Sequence, residues 1–153
     1  MNNGKHPDTA KQATPSEIVQ RLIDAWNHHD AHGVVALYAE DYTGEDTGRN
    51  RPDHSARDIL RMTVSNFRGF PDSHLTLVDL VAEQNRVAFV WRMSGTHKAS
   101  IMNIPATGRK IDLLGTSIFT ITNGKIQSGL RIWDMASMLR AIGLLPDLQD
   151  EAA

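Results

Sequence analysis

The hydrophobic period of the chain changes near Ser73, and this change limits the possible folds more than any other feature. Before Ser73, apolar residues recur every three or four positions, as they do along one face of a helix. After Ser73 they alternate along the chain, as in strands, until a last helical pattern over residues 134–143. Helices first, then a run of antiparallel strands, then one closing helix is the order of an α+β domain.

The first half of the chain carries clear signals for helix starts. Thr14, Pro15 and Glu17 supply an N-cap hydroxyl, a proline at the first helical position and the glutamate of a capping box. Asp30 is a good cap for a second, short helix. The predicted elements are helices over residues 14–28 and 31–38, a weak strand over 41–47, and a third helix that opens at Pro52-Asp53 and ends near Gly69.

Strand patterns fill most of the second half. Asn123-Gly124 is a favoured two-residue hairpin turn, and it joins two predicted strands. In the last strand Ile126, Leu130 and Ile132 share one parity, so they are expected to share one face. The predicted strands cover residues 74–83, 86–97, 110–122 and 125–133.

Both faces of the longest strands carry apolar residues, with Phe119 on one parity and Leu114 on the other. An antiparallel sheet of this kind needs cover on both sides. The three N-terminal helices can cover one side, and we expect a second copy of the chain, hence a homodimer, on the outer side. Arg92 and Arg131 are expected to form ion pairs on that outer face.

The composition excludes several classes of protein. The chain has 153 residues, which predicts one domain, and its 41% hydrophobic and 22% charged residues are ordinary for a globular protein. A net charge of −2 without a basic block gives no footprint for nucleic acid. Because the chain has no cysteine, disulfides, thiolate catalysis and cysteine-ligated metals are excluded.

Segment boundaries and location follow from the same patterns. Residues 1–13 are polar and are expected to be a disordered lead without a signal peptide. Residues 14–146 form the single predicted domain, and 147–153 a flexible tail. No apolar run approaches the roughly 18 residues of a membrane span, so the cytoplasm is the expected location and no membrane partner is expected.

Asp134 lies where the last strand ends and the closing helix begins, between Trp133 and Met135. Aspartate is among the best N-caps, and local sequence favours that role. The functional alternative is a general base in an apolar pocket. Burial would raise its pKa, whereas a helix N-terminus would lower it. The two roles are compatible, because a cap also fixes the position of the side chain.

Histidines offer two further candidates. His97 ends a strand in phase with Trp91 and Met93, so it is expected to face the core or a cavity, where it could donate to a developing enolate oxygen. His28 and His32 are four residues apart, but a helix break at Asp30 separates them. A solvated loop is therefore favoured over a metal site, and no metal is predicted. No phosphate loop, Ser-His-Asp arrangement or dinucleotide fingerprint is present.

A set of short motifs, in order and with matching spacing, resembles the SnoaL-like polyketide cyclases, which have the nuclear-transport-factor-like α+β barrel fold. The resemblance covers nearly all of residues 16–146. Its motifs are Phe70-Pro71-Asp72, Gly95-Thr96-His97, Pro105-Ala106-Thr107-Gly108-Arg109, Asn123-Gly124-Lys125-Ile126 and Trp133-Asp134 followed by Leu139-Arg140-Ala141-Ile142-Gly143.

The resemblance implies a curved antiparallel sheet wrapped around the N-terminal helices, as a cone-shaped barrel with an internal apolar pocket. It also implies ring closure of an aromatic polyketide ester by intramolecular aldol condensation, without cofactor or metal. The catalytic base of that family aligns with Asp134, and His97 is the second catalytic candidate. The predicted substrate-binding residues are Trp26, Tyr38, Met62, Asn66, Trp91, Ser117, Leu130 and Trp133.

Two departures from the family pattern keep other functions open. The strand over residues 115–120 lacks the Gln and His donors that the cyclases use, and Leu130 replaces a tryptophan. These departures raise the alternative of a cofactor-free polyketide hydroxylase on the same scaffold, while ring closure with an aspartate base stays the leading expectation. A non-catalytic pocket for a hydrophobic ligand is the alternative from another class, and an isomerase or dehydratase acting on a smaller substrate is a third.

Overall fold

The computed structural model describes residues 11–49, 52–53 and 55–149. Within these ranges the chain forms helices and strands in the α+β order that the sequence predicts, and the predicted fold class is confirmed. Parts of the predicted lead and tail, residues 1–10 and 150–153, lie outside the described residues. The elements are α1 (Pro15–Asn27), α2 (Ala31–Val35), β1 (Tyr38–Asp46), α3 (Ala56–Gly69), β2 (His74–Glu83), β3 (Arg86–Thr96), β4 (Lys110–Thr122), β5 (Lys125–Trp133) and α4 (Met135–Ala141).

The five strands form one curved sheet in the order β1-β5-β4-β3-β2. Strands β2 to β5 follow one another as an antiparallel meander, as predicted. Strand β1 differs from the prediction, because it pairs with β5 in parallel. Parallel pairing requires a long crossover, and the residues between β1 and β5, which include α3 and the meander, provide it.

The helix starts are set by side-chain caps. At α1 the Glu17 backbone N–H donates to Thr14 Oγ1 at 3.2 Å, and the Thr14 N–H donates to Glu17 Oε2 at 2.8 Å, which is the predicted capping box. At α3 the cap is Ser55 rather than Pro52-Asp53. Asp53 exchanges two backbone hydrogen bonds with Gly44, at 2.8 and 2.9 Å, and this pairing keeps it out of the helix.

Helix α2 is shorter than its sequence pattern predicts. It ends at Val35, and Tyr38, which the pattern assigns to the helix, begins β1 opposite Ile126. Pairing with a strand that is distant in sequence thus overrides the local helical pattern. As a result β1 starts three residues before the predicted strand and brings Tyr38 to the inner face of the sheet.

A β-bulge changes the direction of the side chains along β5. Thr120 pairs with Ser128 and Ile121 pairs with Ile126, so Gln127 is an extra residue with no partner on β4. An extra residue reverses the alternation of the strand beyond it. The expectation that Ile126, Leu130 and Ile132 share one face is therefore wrong.

Beyond the bulge, odd-numbered residues point towards the helices. Arg131 is buried in the interior, and Trp133 contributes to the wall of a cavity. Ile132 lies on the outer face and is 41% exposed. The predicted position of Arg131 on the outer face is therefore wrong. Arg92, in contrast, forms an exposed ion pair with Asp112 at 2.9 Å, as expected.

Candidate active site

An internal cavity lies between the concave face of the sheet and the helices. Its volume is about 140 Å³, which is roughly ten times the space that one buried water needs. Most of its wall is apolar, and α1, α3, the sheet and α4 all contribute to it. Polar side chains are few, as in most pockets for small apolar ligands.

Most of the predicted substrate-binding residues come together in this wall. They are Trp26, Tyr38, Met62, Asn66, Trp91, Ser117 and Trp133. Leu130 does not line the cavity. Because of the bulge it faces the opposite side of the sheet, where it borders an open hollow with Thr43 and Pro52. The prediction that Leu130 lies in the pocket is therefore wrong.

A buried ion cluster, which the sequence did not predict, adjoins the cavity. Arg131 donates from Nε to Asp46 Oδ2 at 3.1 Å and from Nη2 to Asp53 Oδ2. The side chains are 11% exposed for Arg131, 6% for Asp46 and 4% for Asp53. Arg131 and Asp46 belong to the cavity wall. We call these three residues the ion cluster.

Asp46 is fixed by further donors. Its Oδ1 accepts hydrogen bonds from Trp133 Nε1 at 2.6 Å and from the Gly48 backbone N–H at 3.0 Å. Gly48 is required for this contact, because a Cβ there would lie 2.1 Å from the Trp133 indole. Among the described residues that line the cavity, Asp46 is the only carboxylate.

Two tyrosines lie beside the ion cluster. Burial raises the pKa of Tyr38, although the Arg131 guanidinium opposes this shift. Burial also raises the pKa of Tyr42, with a smaller contribution from Tyr38. For Arg131, burial alone would lower the pKa, but Tyr38, Asp53 and the other neighbours raise it above its ordinary value. Arg131 is therefore a permanent cation in the interior.

Asp134 caps helix α4, as local sequence favours. Its Oδ1 accepts from the Ala136 N–H at 2.9 Å, and its Oδ2 accepts from the Ser137 hydroxyl at 2.6 Å. The side chain is exposed and does not line the cavity. The Ser137 hydroxyl in particular lowers the pKa of Asp134. The expectation of an apolar pocket with a raised pKa is therefore wrong for this residue, and its role as base stays a prediction.

His97 is fully buried, but it does not line the cavity. Its Nδ1 lies 3.1 Å from Thr107 Oγ1, and its ring packs on Phe70 with centroids 5.5 Å apart. Phe70 itself is part of the cavity wall. His97 therefore packs in the core beside a wall residue, which is the first of the two environments expected for it.

The other histidines make local contacts. His28 Nδ1 lies 2.7 Å from the Asp24 carbonyl, and His29 Nε2 lies 3.0 Å from the Ser73 carbonyl. Over residues 11–49, 52–53 and 55–149, no three His, Cys, Asp or Glu side chains group as metal ligands would. The helices within those ranges are also too short or too polar to cross a bilayer.

The fold and cavity define a class: small α+β proteins with an apolar ligand pocket between a curved sheet and its helices. The chain belongs to the SnoaL-like polyketide cyclase family, whose sequence model matches residues 16–142. No curated protein matches the chain.

Solved structures share the fold at low sequence identity. AclR from Streptomyces galilaeus, described as a candidate hydroxylase, is 22% identical with a TM-score of 0.78, covering 88% of this chain and 87% of AclR. IdmH from Streptomyces antibioticus, described as a candidate polyketide cyclase, is 25% identical with a TM-score of 0.73, and the match covers 86% of this chain and 99% of IdmH. A protein from Catenulispora acidiphila with a ketosteroid isomerase-like fold is 18% identical with a TM-score of 0.72, and the match covers 90% of this chain and 100% of that protein.

Proposed function

We propose that the protein is a cofactor-independent tailoring enzyme of aromatic polyketide biosynthesis, which removes an acidic C–H proton and closes a ring by aldol condensation. Membership of the SnoaL-like family supports this substrate class and this reaction. The observation that carries the proposal is the position of Asp46, the one acidic residue among the described residues that line this mostly apolar cavity. A base in such a site needs a fixed position and access to the substrate.

In the proposed reaction, Asp46 takes a proton from a carbon that is flanked by carbonyl groups. The resulting enolate carbon attacks a second carbonyl carbon of the same molecule, and the new C–C bond closes the ring. The alkoxide formed there then takes the proton back from Asp46, so the product has the mass of the substrate. Asp46 Oδ2 has room for this proton, because it accepts one hydrogen bond, whereas Oδ1 accepts two.

The family resemblance implies Asp134 as the base, whereas the cavity geometry favours Asp46. Asp134 lies on the solvent side, and its lowered pKa makes it a weaker base than an ordinary carboxylate. Asp134→Asn removes the base but leaves an N-cap, because asparagine also caps helices well. The pair Asp46→Asn and Asp134→Asn therefore separates the two assignments.

The test is turnover of a tricyclic anthraquinone polyketide ester, followed by chromatography and mass spectrometry with oxygen excluded. We expect wild-type protein to form an isomer of the substrate. Asp46→Asn is expected to lose about 100-fold or more in rate, as general-base catalysis typically contributes. Asp134→Asn is expected to stay close to wild type. The opposite result for the two variants would assign the base to Asp134 and reject Asp46.

The same assay in air tests the hydroxylase alternative. AclR, which shares the fold, is described as a candidate hydroxylase. In β4, Ser117 is the polar side chain in the cavity wall, and it accepts from Trp91 Nε1 at 3.0 Å. A product that gains one oxygen atom only in air would indicate that the deprotonated substrate reacts with oxygen. Tight binding without any product, unaffected by Asp46→Asn, would indicate a binding module.

We also propose that the protein is a homodimer through the outer face of β4 and β5. Leu114 is 52% and Ile132 is 41% exposed on this face, beside the cross-strand pair Ile118 and Leu130. Light scattering at micromolar concentration should give twice the chain mass of 17.0 kDa. Leu114→Lys should give a monomer, whereas Val81→Lys, at a 66% exposed position on β2, should not. A monomeric wild type would contradict the proposal.

The cytoplasm is the proposed location of this activity. Fractionation of the producing cells, with an antibody against the chain, tests it. Recovery from the membrane or the culture medium would contradict it.

A further inference from the structure

The ion cluster leaves one hydrogen-bond donor unused. Arg131 gives Nε to Asp46 and Nη2 to Asp53, and the Tyr38 hydroxyl lies beside the guanidinium, but the buried Nη1 makes no hydrogen bond of normal length and angle within the described residues. A buried donor without a partner costs free energy, more so when it is charged. Arg131 is also part of the cavity wall. A ligand atom that accepts a hydrogen bond would therefore remove an existing cost.

The other N–H donors in the cavity wall indicate the same ligand chemistry. The indole of Trp91 donates to Ser117, and that of Trp133 donates to Asp46. The indole of Trp26 is buried and, like Arg131 Nη1, has no partner within the described part of the chain. The fully buried unused groups that we find at the wall are thus donors, which favours a ligand with acceptor atoms such as carbonyl oxygens.

The charge of the cluster favours a neutral carbonyl over an anion in the resting complex. Asp46 and Asp53 already face the guanidinium of Arg131 and would repel an anionic ligand there, and Arg49, 3.8 Å from Asp53, offsets only part of this negative charge. A neutral carbonyl oxygen accepts a hydrogen bond without this repulsion. An amine or another cation would find no suitable group at Arg131, because a guanidinium has no acceptor.

We propose that Arg131 Nη1 binds the substrate carbonyl oxygen that becomes the enolate oxygen. This inference rests on the proposed function, because it assumes that Asp46 takes the proton. When the C–H bond breaks, its electron pair moves into the enolate, and the negative charge moves from Asp46 to the substrate oxygen. Arg131 contacts both groups, so the net charge around the guanidinium stays the same. Arg131 is thereby a catalytic residue, and the substrate is a polycyclic ketone or quinone.

The test uses fluorenone and fluorene, two tricyclic probes of equal shape that differ in one carbonyl oxygen. Equilibrium dialysis gives the ratio of their dissociation constants, and comparing this ratio between variants cancels the difference in hydrophobicity of the probes. The key variant is Arg131→Met combined with Asp46→Asn and Asp53→Asn, which removes the ion cluster as a unit. Arg49 loses its contact with Asp53 in this variant, but its side chain is 26% exposed and reaches water. Trp26→Phe removes the rival donor.

We expect the wild-type preference for fluorenone to fall about 10-fold or more in the triple variant, as for a hydrogen bond to a charged group. Trp26→Phe should retain most of the preference. An unchanged ratio in a folded triple variant would overturn the proposal, as would loss of the preference in Trp26→Phe instead.

A second readout uses wild-type protein alone, in case the triple variant does not fold. The carbonyl stretch of bound fluorenone should lie at lower frequency than in cyclohexane, because the carbonyl accepts a hydrogen bond from a guanidinium. An unshifted stretch would overturn the proposal. Both readouts measure binding without turnover, so a failed ring-closure assay with a retained carbonyl preference would reject the proposed function and leave the Arg131 contact in place.

Discussion

Arg131→Met should expose how strongly the ion cluster depends on its one arginine. The substitution keeps an unbranched side chain of similar length but removes the only described partner that neutralises Asp46 directly. The two carboxylates are 6% and 4% exposed, so water cannot replace the lost donors. Breaking a buried ion pair by removing one member typically costs about 3–5 kcal/mol. We expect a loss of this size at pH 7, which is a large share of the stability of a typical domain.

The loss of stability in Arg131→Met should become smaller as the pH falls. In the variant, Asp46 is buried without a cationic partner, so the folded state favours its neutral form more than the unfolded chain does, where an aspartate titrates at about 3.9. Asp53 still has Arg49 at 3.8 Å. The folded variant then binds more protons than the unfolded chain, so its stability rises as the pH falls towards about 3.9. Urea denaturation of wild type and variant at pH 7 and pH 5 measures the difference. We expect the gap between them to be smaller at pH 5.

Arg92→Met is the matched control, because Arg92 pairs with Asp112 in a bridge whose side chains are 51% and 61% exposed. Exposed pairs contribute about 0–1 kcal/mol, so this variant should stay close to wild type at both pH values. The reasoning is refuted if Arg131→Met costs no more than Arg92→Met, or if its deficit grows as the pH falls.

Three further predictions follow from buried groups. The chain has two tyrosines, Tyr38 and Tyr42, and burial raises the pKa of both. Absorbance at 295 nm should therefore show no phenolate at pH 10 in the folded protein. The free energy of unfolding should fall as the pH rises above about 10, because the unfolded chain then loses these protons more readily. Thr63 is fully buried and its hydroxyl has no described partner, so Thr63→Val should raise the free energy of unfolding, measured by urea denaturation, by about 1 kcal/mol. A lower free energy of unfolding in the variant would contradict the absence of a partner. A Cβ on Gly115 would lie 2.3 Å from the Trp91 indole. Gly115→Ala should therefore lower the free energy of unfolding by about 1–3 kcal/mol and weaken fluorenone binding. Unchanged binding would contradict the placement of Trp91 in the cavity wall.

Local signals predicted the parts of the fold that depend on neighbouring residues. The capping box of α1, the Asp30 cap of α2 and the Asp134 cap of α4 each involve residues two or three positions apart, and all are present in the structure. Two of the three connections in the meander were predictable for the same reason, because two-residue turns join β2 to β3 and β4 to β5. Glycine at 115 and tryptophan at 91 lie opposite each other in the meander, but nothing local predicts that contact.

The ion cluster could not be predicted, because its members are 78 and 85 positions apart in the chain. Asp53 resembled a helix start, and Asp46 lay in a weak strand whose parallel partner the sequence did not reveal. Arg131 was placed on the wrong face because a bulge leaves no clear mark in the alternation. The parity that Arg131 shares with Trp133 was the one available clue.

The bulge at Gln127 means that strand length, rather than composition, decides what fills the interior. If Gln127 were deleted, every later side chain of β5 would rotate by half a turn. Leu130 and Ile132 would enter the interior, and Arg131 and Trp133 would point outwards. The interior would then gain two aliphatic side chains in place of Arg131 and Trp133, and Asp46 and Asp53 would lose their shared cation. The extra residue thus sets which side chains of β5 face the cavity. A change of one residue in the length of this strand would change the chemistry of the cavity wall.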